Sequence, residues 1–318
     1  MENKKSILFL INPKSGVQKK KNIPVLIEKY LDKDKFDCTV AFTQYMGHAA
    51  ELAKEASDNN VDIVVAVGGD GTINEVGSSI VHTNTALGVI PCGSGNGFAR
   101  HLGVPVDVRK AIEFINNASP VCIDYGKLNG RPFFCSCGVG FDAVVSNKFA
   151  KGTRRGLLSY VQNTLVGYVT YQCEEYEVEI PNVSKHYKAF LIACGNASQY
   201  GNNAYITPYA SMRDGLLNVS ILKPFLPVEA PLIAAQLFSN NVDSSDRIVT
   251  LSVPWIKIKR GVPGPVHYDG EPCVMDAELF VEVVPSGLNV LAGEEWDGTC
   301  VPVPLYRQFY DVIAGSVG

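Results

Sequence analysis

The chain has 318 residues, 46% of them hydrophobic and 19% charged, which suits a globular protein of one large or two smaller domains. Its 28 basic and 32 acidic residues give a net charge of −4, which argues against a general nucleic-acid-binding protein. No apolar stretch approaches the ~18 residues of a transmembrane helix, and we expect no signal peptide. The nine cysteines lack paired spacing, so we interpret them as reduced thiols of a cytoplasmic protein.

The first third of the chain is predicted to alternate strands with helices. Four strands are predicted, at residues 6–12, 36–43, 61–67 and 85–91, and a helical pattern follows each of them. Because these strands show no polar alternation, they predict a parallel sheet with both faces covered. Such sheets bind ligands at the carboxyl ends of their strands. The most unusual residues of this region lie there, at 12–16, 43, 68–72 and 93–97.

From about residue 121 the pattern changes to short alternating strands. A hairpin with a type I′ turn at Asn129-Gly130 is followed by a basic, helical insertion at 147–171. Further strands are predicted at 176–180, 188–195, 215–222, 247–253, 255–260 and 278–284, which indicates an antiparallel β-sandwich. We therefore predict a doubly wound α/β nucleotide domain at 1–123 and a β-sandwich domain at 124–295. The tail at 296–318 is expected to pack back on one of them.

The third predicted strand ends in the sequence GGDGT, residues 68–72. Its three glycines let the backbone approach a phosphate, and the amides at the start of the next helix favour an anion. Asp70 would repel a phosphate unless a divalent cation lay between them. The motif therefore predicts a nucleotide phosphate site with Mg²⁺. The alternative is a tight turn, for which Thr72 and Glu75 fit a capping box.

Two further loops repeat this chemistry. GSGNG at 93–97 follows the fourth strand, and Arg100, one helical turn later, is either a phosphate contact or a solvated surface residue. In NPKSG at 12–16, Lys14 can cover a phosphate. The chain carries neither a Walker-type loop nor a dinucleotide fingerprint, which disfavours those two classes of nucleotide-binding protein.

These three motifs, in this order and spacing, resemble the diacylglycerol kinase and sphingosine kinase superfamily of lipid kinases. The likeness continues through CGVGFDA (137–143), SMRDGLLNV (211–219) and HYDGEP (267–272). The resemblance implies a phosphofructokinase-type nucleotide domain joined to a β-sandwich, with ATP and Mg²⁺ as cofactors. The ATP site is then expected at Asn12, Pro13, Lys14, Ser15, Gly16, Thr43, Gly68, Gly69, Asp70, Gly71, Thr72, Asn74, Glu75, Gly93, Ser94, Asn96 and Arg100.

The resemblance also places the proton acceptor at Asp269 or Glu271 and favours Glu271. From the residues alone, their spacing predicts that both lie on one face of a strand, where a carboxylate can take the proton of a lipid hydroxyl. The alternative is a polar strand face with an Asp-Gly turn. His267 would share that face, which raises a weaker hypothesis of a metal cluster of the form H-x-D-x-E.

A second magnesium site is implied by the resemblance alone. It comprises Asp214 with the carbonyl groups of Ser211 and Leu216, in addition to Asp70 at the nucleotide. A simple Asp-Gly turn is the alternative for Asp214.

The lipid side is predicted from two features. Asp142 lies in the CGVGFDA motif, which the resemblance assigns to the substrate or membrane side. Lys151, Arg154 and Arg155 lie beside an apolar helical stretch, and such a cluster is attracted to an anionic membrane. A solvated helix end is the alternative for these cations.

The leading hypothesis is a kinase that phosphorylates a lipid at the inner face of the membrane, with peripheral contact and a homodimer left open. Gly97 departs from bacterial diacylglycerol kinases, which usually carry an aspartate there; GSGN looks more like the sphingosine and ceramide kinase version. The acceptor is therefore diacylglycerol or a sphingoid base. The alternatives are an NAD kinase and a catalytically silent lipid- or nucleotide-binding regulator.

Overall fold

The computed structural model describes residues 4–13, 22–151 and 171–303. In the N-terminal domain, strands and helices alternate as the sequence predicts. Its elements are β1 (Lys5–Ile11), α1 (Ile23–Tyr30), β2 (Phe36–Phe42), α2 (His48–Asp58), β3 (Ile63–Gly68), α3 (Asp70–Ile80), β4 (Ala86–Pro91), α4 (Gly97–His101) and α5 (Val108–Asn117). The four strands pair in parallel in the order β2-β1-β3-β4. Every residue of β3 and β4 is buried, which explains their lack of polar alternation.

Helix α3 starts earlier than the sequence suggests. Gly69 is its N-cap residue, and no side chain caps the helix. Thr72 therefore lies inside the first turn, where its hydroxyl oxygen accepts a hydrogen bond from the side-chain amide of Asn12 (3.1 Å). The predicted capping box of Thr72 and Glu75 is wrong, because the extended backbone of Gly69 begins the helix at Asp70.

The second part of the chain forms a β-sandwich. Its elements are β5 (Ser119–Leu128), β6 (Arg131–Phe133), β7 (Ser136–Gly140), α6 (Phe141–Lys151), β8 (Glu174–Ile180), β9 (Val183–Ala189), β10 (Leu191–Gly195), β11 (Leu217–Leu222), α7 (Ala230–Phe238), β12 (Ile248–Val253), β13 (Trp255–Arg260), β14 (Gly264–Tyr268), β15 (Glu271–Met275) and β16 (Glu278–Ala292). One sheet has the antiparallel order β12-β11-β10-β7-β14-β15. The other contains β16, β13, β8 and β9, and buried apolar side chains fill the space between them.

The hairpin between β5 and β6 is confirmed. Asn129 and Gly130 both have positive φ angles, +46° and +81°, as a type I′ turn requires. The single strand predicted at 188–195 is wrong, because the chain leaves one sheet and enters the other around Phe190 and so forms β9 and β10.

Strand β16 joins the two domains. It pairs in antiparallel fashion with β13 and β5 and, near its end, in parallel with β4 at Asn289 and Val290. A register shift between Val284 and Leu288 allows this change of partner. The parallel sheet of the N-terminal domain is therefore continuous with one sheet of the sandwich, and the strand predicted at 278–284 is only the first half of β16.

The chain returns to the N-terminal domain after β16. The indole Nε1 of Trp296 donates to the carbonyl oxygens of His101 (3.3 Å) and Thr299 (2.9 Å). His101 is itself buried; its Nδ1 accepts from the amide of Ser198 (3.0 Å), and its Nε2 donates to the carbonyl oxygen of Gly298 (3.0 Å). Burial lowers the pKa of His101 to about 4, so this imidazole is neutral at pH 7.

All nine cysteines are free thiols, as predicted. Within the described residues, no helix combines the length and apolar character needed to cross a bilayer.

Candidate active site

The two glycine loops of the N-terminal domain pack directly on each other. A Cβ atom on Gly93 would lie 2.7 Å from the Cα of Gly69, and one on Gly69 would lie 3.2 Å from the Cα of Gly93. At Gly68, a Cβ would lie 2.4 Å from the hydroxyl oxygen of Thr72. Gly69 and Gly93 are therefore required by the contact between the loops, and Gly68 by packing within the first loop, in addition to any approach of a phosphate.

Asn96 closes the second glycine loop. It has a positive φ of +55°; its Oδ1 accepts from the amide of Gly93 (2.8 Å), and its Nδ2 donates to the Gly93 carbonyl (3.0 Å). The amide of Asn96 donates to Oδ2 of Asp70 (3.1 Å). The backbone of Asn96 thus links the two loops, and its side-chain amide is occupied by Gly93.

Asp70 has one carboxylate oxygen with no hydrogen-bond partner among the described residues. Its Oδ1 is buried and receives no hydrogen bond in the described part of the chain. Burial, followed by the negative charge of Asp269, raises the pKa of Asp70 to about 6. A divalent cation would satisfy this oxygen and favour the charged form, so the residue fits Mg²⁺. No cluster of three or more His, Cys, Asp or Glu side chains suited to a metal occurs among the described residues, so most ligands of such a cation would come from phosphate and water.

Asp269 and Glu271 do not alternate along one strand, so that prediction is wrong. Asp269 and Gly270 have φ angles of +46° and +80° and form the turn between β14 and β15, as Asp-Gly pairs favour. Glu271 is the first residue of β15 and is exposed. A Cβ on Gly71 would lie 2.8 Å from Oε1 of Glu271, so this carboxylate of the sandwich lies against the first glycine loop.

Both carboxylate oxygens of Asp269 accept hydrogen bonds from the protein. Its Oδ1 accepts from the amides of Cys135 (2.7 Å) and Ser136 (3.2 Å). Its Oδ2 accepts from the amide of Phe134 (2.9 Å) and from Nδ2 of Asn74 (2.8 Å). Burial raises the pKa of Asp269, while these four donors act in the opposite direction. Asp269 therefore fixes the turn of Glu271 against β7 and α3.

The other predicted nucleotide residues are spread around the two loops. Thr43 is buried just after β2, whereas Pro13 and Ser94 are exposed. Arg100 is tied into the second loop, because its Nε donates to the carbonyl oxygen of Gly95 (3.3 Å). Nδ2 of Asn74 donates hydrogen bonds to Oδ2 of Asp269 and to the carbonyl oxygen of Pro132. The predictions for Lys14, Ser15, Gly16, Arg154 and Arg155 lie outside the described residues, and Lys151 is the last residue of α6.

Asp214 makes the contacts of an Asp-Gly turn. Its Oδ1 accepts from the amide of Leu216 (3.0 Å), and burial raises its pKa. The amide of Gly215 donates to Oδ2 of Asp124 (2.8 Å), and Asp124 also accepts from the amide of Ser286 (2.8 Å). The magnesium site of Asp214, Ser211 and Leu216 stays a prediction. Asp124 was missed by the sequence reasoning, although a buried acid inside the apolar strand β5 was a signal for it.

Asp142 belongs to a buried polar group. Its Oδ2 accepts from the hydroxyl of Tyr200 (2.6 Å) and from Nε2 of His267 (2.9 Å). Its Oδ1 accepts from the amide of Ala143 (2.7 Å). His267 is thus engaged with Asp142, and the H-x-D-x-E metal cluster does not form in the described part of the chain. Tyr200 was not identified from the sequence.

Comparisons with known proteins agree with this architecture. Residues 6–128 match the family model of the diacylglycerol kinase catalytic domain, and residues 135–292 match that of the YegS C-terminal NAD kinase beta sandwich-like domain. A crystal structure of a diacylglycerol kinase from Bacillus anthracis has the same fold, with a TM-score of 0.72 and 19% identity over 92% of this chain and 98% of that one.

Two curated relatives carry the name "Probable lipid kinase YegS-like". The protein from Chromohalobacter salexigens is 32% identical over 255 residues, which cover 78% of this chain and 81% of that protein. The protein from Klebsiella pneumoniae is 31% identical over 292 residues, which cover 89% and 94%. With both domains matched in order and the site formed where they meet, this chain belongs to the family of YegS-like lipid kinases.

Proposed function

We propose that this protein transfers the γ-phosphate of ATP, in the presence of Mg²⁺, to the hydroxyl group of a membrane lipid. The observation that carries the proposal is the contact of Glu271 with Gly71. It brings a carboxylate from the sandwich to the loop whose glycines and helix N-terminus suit a nucleotide phosphate. A phosphate donor and a proton acceptor can therefore meet at one point between the domains.

The residues supply positioning and proton transfer. Backbone amides of the two glycine loops hold the phosphates, and Glu271 accepts the proton of the lipid hydroxyl as its oxygen bonds to the γ-phosphorus and the bond to ADP breaks. Asp269 is not the acceptor in this proposal, because four N–H groups already occupy its oxygens. Asp70 would hold Mg²⁺, which when bound neutralises phosphate charge.

The lipid is proposed to approach from the membrane surface on the sandwich side. The basic segment at 148–155 suits the anionic inner face of a membrane. Asp142 and His267 are buried and bonded to each other, so the role of Asp142 on the lipid side is proposed to be indirect. Replacing Lys151, Arg154 and Arg155 by Gln should weaken binding to anionic vesicles and reduce its dependence on salt. Vesicle binding that is indifferent to these changes would remove the membrane role of the segment.

The acceptor is proposed to be diacylglycerol or a sphingoid base. Gly97 admits no side chain, because a Cβ there would lie 2.8 Å from both the carbonyl oxygen of Gln199 and the Sγ of Cys135. The second loop of this chain therefore cannot accept the aspartate that usually follows this asparagine in bacterial diacylglycerol kinases.

The test is phosphorylation of an extracted lipid pool by the purified protein with Mg-ATP, with products identified by mass spectrometry. Diacylglycerol micelles, free sphingoid base and NAD are offered separately. We expect a phosphorylated lipid with the parent and almost none with Glu271→Gln. Phosphorylation of NAD alone would establish the rival kinase, and no ATP consumption with any acceptor would favour a silent binding protein.

A further inference from the structure

A segment of the sandwich lies directly on the second glycine loop. After β10, the amide of Asn202 donates to the carbonyl oxygen of Gly95 (3.1 Å), and Asn96 pairs with Gly201 in an isolated antiparallel β-bridge. A Cβ on Gly201 would lie 2.5 Å from the backbone of Gly95. We call residues 199–203 the clamp. The loop that we assign to nucleotide phosphate is therefore held by backbone from the other domain.

Side chains add to this contact. Arg100 in α4 donates from Nη1 to Oδ1 of Asn203 (3.4 Å) and from Nε to the carbonyl of Gly95 (3.3 Å). The amide of Asn203 in turn donates to Oε1 of Gln199 (3.0 Å). Both Asn203 and Gln199 are buried polar residues, so these bonds form in a site shielded from water. The second loop and the clamp are therefore joined by side chains as well as by backbone.

Tyr200 connects the clamp to the acceptor side of the site. Its hydroxyl donates to Asp142 (2.6 Å), and the same oxygen of Asp142 contacts Nε2 of His267 (2.9 Å). Asp142 and His267 are 6% and 2% exposed, so the group is fixed inside the sandwich. His267 lies on β14, which leads through the turn of Asp269 to Glu271.

We propose that Tyr200 is a positioning residue that couples the nucleotide site to the lipid acceptor site. Its backbone belongs to the clamp on the second loop, and its hydroxyl holds the Asp142–His267 pair beside the strand that leads to Glu271. A nucleotide that orders the loop therefore also orders β14, and a lipid that orders β14 favours the loop. The inference rests on the proposed function, and it predicts that nucleotide and lipid bind cooperatively.

The test compares Tyr200→Phe with the parent and with Tyr30→Phe. Tyr200→Phe removes only the hydroxyl. Tyr30 is the matched control because it lies on α1, where its ring contacts Arg109 of α5, and neither helix supplies a described residue to the candidate site. The affinity for a non-hydrolysable ATP analogue with Mg²⁺ is measured by calorimetry, with and without micelles of whichever lipid the parent phosphorylates.

We expect lipid to raise the nucleotide affinity of the parent and of Tyr30→Phe by about fivefold or more. In Tyr200→Phe this factor should fall to nearly one, while the affinity measured without lipid stays within about twofold of the parent. Hydrogen–deuterium exchange gives a second readout that needs no lipid. The analogue should protect both the clamp and β14 in the parent, but only the clamp in Tyr200→Phe.

Three outcomes would overturn the inference. Lipid does not change the nucleotide affinity of the parent, or it raises the affinity of Tyr200→Phe by the same factor as that of the parent. In the third, Tyr200→Phe loses nucleotide affinity in the absence of lipid. The last would show that the hydroxyl only supports the loop. If Tyr200→Phe does not fold, Asp142→Asn weakens the same link and is measured in its place. A parent that phosphorylates no lipid would reject the proposed function itself, whereas an active parent without coupling would reject this inference alone.

Discussion

The start of helix α3 and the turn between β14 and β15 each bring an aspartate to this site, and the two carboxylates have different hydrogen-bond partners. In the first glycine loop, Asp70 receives the amide of Asn96 on one oxygen, and no donor in the described chain reaches the other. In the turn between β14 and β15, both oxygens of Asp269 are filled by four N–H donors. Burial raises the pKa of both. The difference supports our proposal that Asp70 meets a cation, whereas the four bonds of Asp269 hold a turn.

The largest effect should come from the acid that the turn of Asp269 positions. Glu271→Gln should lower turnover on lipid by about 10²–10⁴-fold, because a proton acceptor contributes that much to such a step. The affinity for ATP should be unchanged, since backbone amides and not Glu271 hold the phosphates in the proposed site. Steady-state kinetics and calorimetry measure the two quantities, and Glu278→Gln, at an exposed position paired with Lys257, is the control. Parental turnover in Glu271→Gln would reject the mechanism.

Asp269→Asn should act mainly on stability. The new amide cannot accept from all four donors, so buried backbone N–H groups lose their partner, at about 2–3 kcal/mol of unfolding free energy. Turnover should fall as well, because the turn that carries Glu271 is released. Urea unfolding measures the change, with Asp58→Asn as a surface control on α2. A variant as stable as the parent would show that the four bonds contribute little.

Asp70→Asn should act mainly on nucleotide binding. We expect Mg-ATP affinity to fall by about tenfold, the lower end of the effect of disturbing a metal site, because phosphate and water supply most of the ligands. In EDTA the parent and the variant should bind ATP equally. An equal affinity of the two proteins in the presence of Mg²⁺ would show that the open oxygen of Asp70 meets no cation.

The smallest effect should be a difference between the parent and Asp70→Asn in how the free energy of unfolding depends on pH. The pKa of Asp70 is about 6 in the folded state, above the ordinary 3.8 of an aspartate, so the folded protein binds this proton more tightly than the unfolded chain does. The stability that Asp70 contributes is therefore present at low pH and lost as the pH rises through about 6. His101 acts in the opposite direction, because its pKa is lowered to about 4 and its contribution is lost as the pH falls from about 6.5.

His101 is present in both proteins, so the difference between their unfolding free energies cancels its contribution and leaves that of Asp70. Without Mg²⁺, the parent should lose about 1–2 kcal/mol of unfolding free energy relative to Asp70→Asn between about pH 4.5 and pH 7.5. Urea midpoints at the two pH values measure this difference. If the free energy of unfolding changes equally with pH in the two proteins, the carboxylate of Asp70 is better solvated than its surroundings indicate.

The sequence predicted the N-terminal domain well because its signal is local. Apolar runs such as β3 and β4 are buried on both faces, and the glycines of each loop follow them directly. The Asn129-Gly130 turn is likewise decided by neighbouring residues. The glycine loops were therefore expected at the strand ends where the structure has them.

The remaining features depend on contacts between distant residues. Asp269 and Glu271 have the spacing of a strand face, but the Asp-Gly pair bends there into a turn that places only Glu271 against Gly71. Tyr200 and Asp142 are 58 residues apart in the chain, and no periodicity connects them. Asp124 is similarly defined by amides that lie 91 and 162 residues away. Such partners are fixed by packing, which a local pattern does not encode.

Strand β16 also bears on the order in which the protein can be completed during synthesis. Its last residues pair with β4 across about 200 positions of the chain, and Nδ2 of Asn289 donates to the carbonyl of Thr83 (3.0 Å). A nascent chain that ends after β5 lacks β16, so the edge of β4 that pairs with β16 has no such partner at that stage. Unpaired edges of apolar strands are prone to intermolecular pairing, and contacts of long sequence separation form slowly. The parallel sheet of the N-terminal domain is thus completed by a strand that is synthesised about 200 residues after β4.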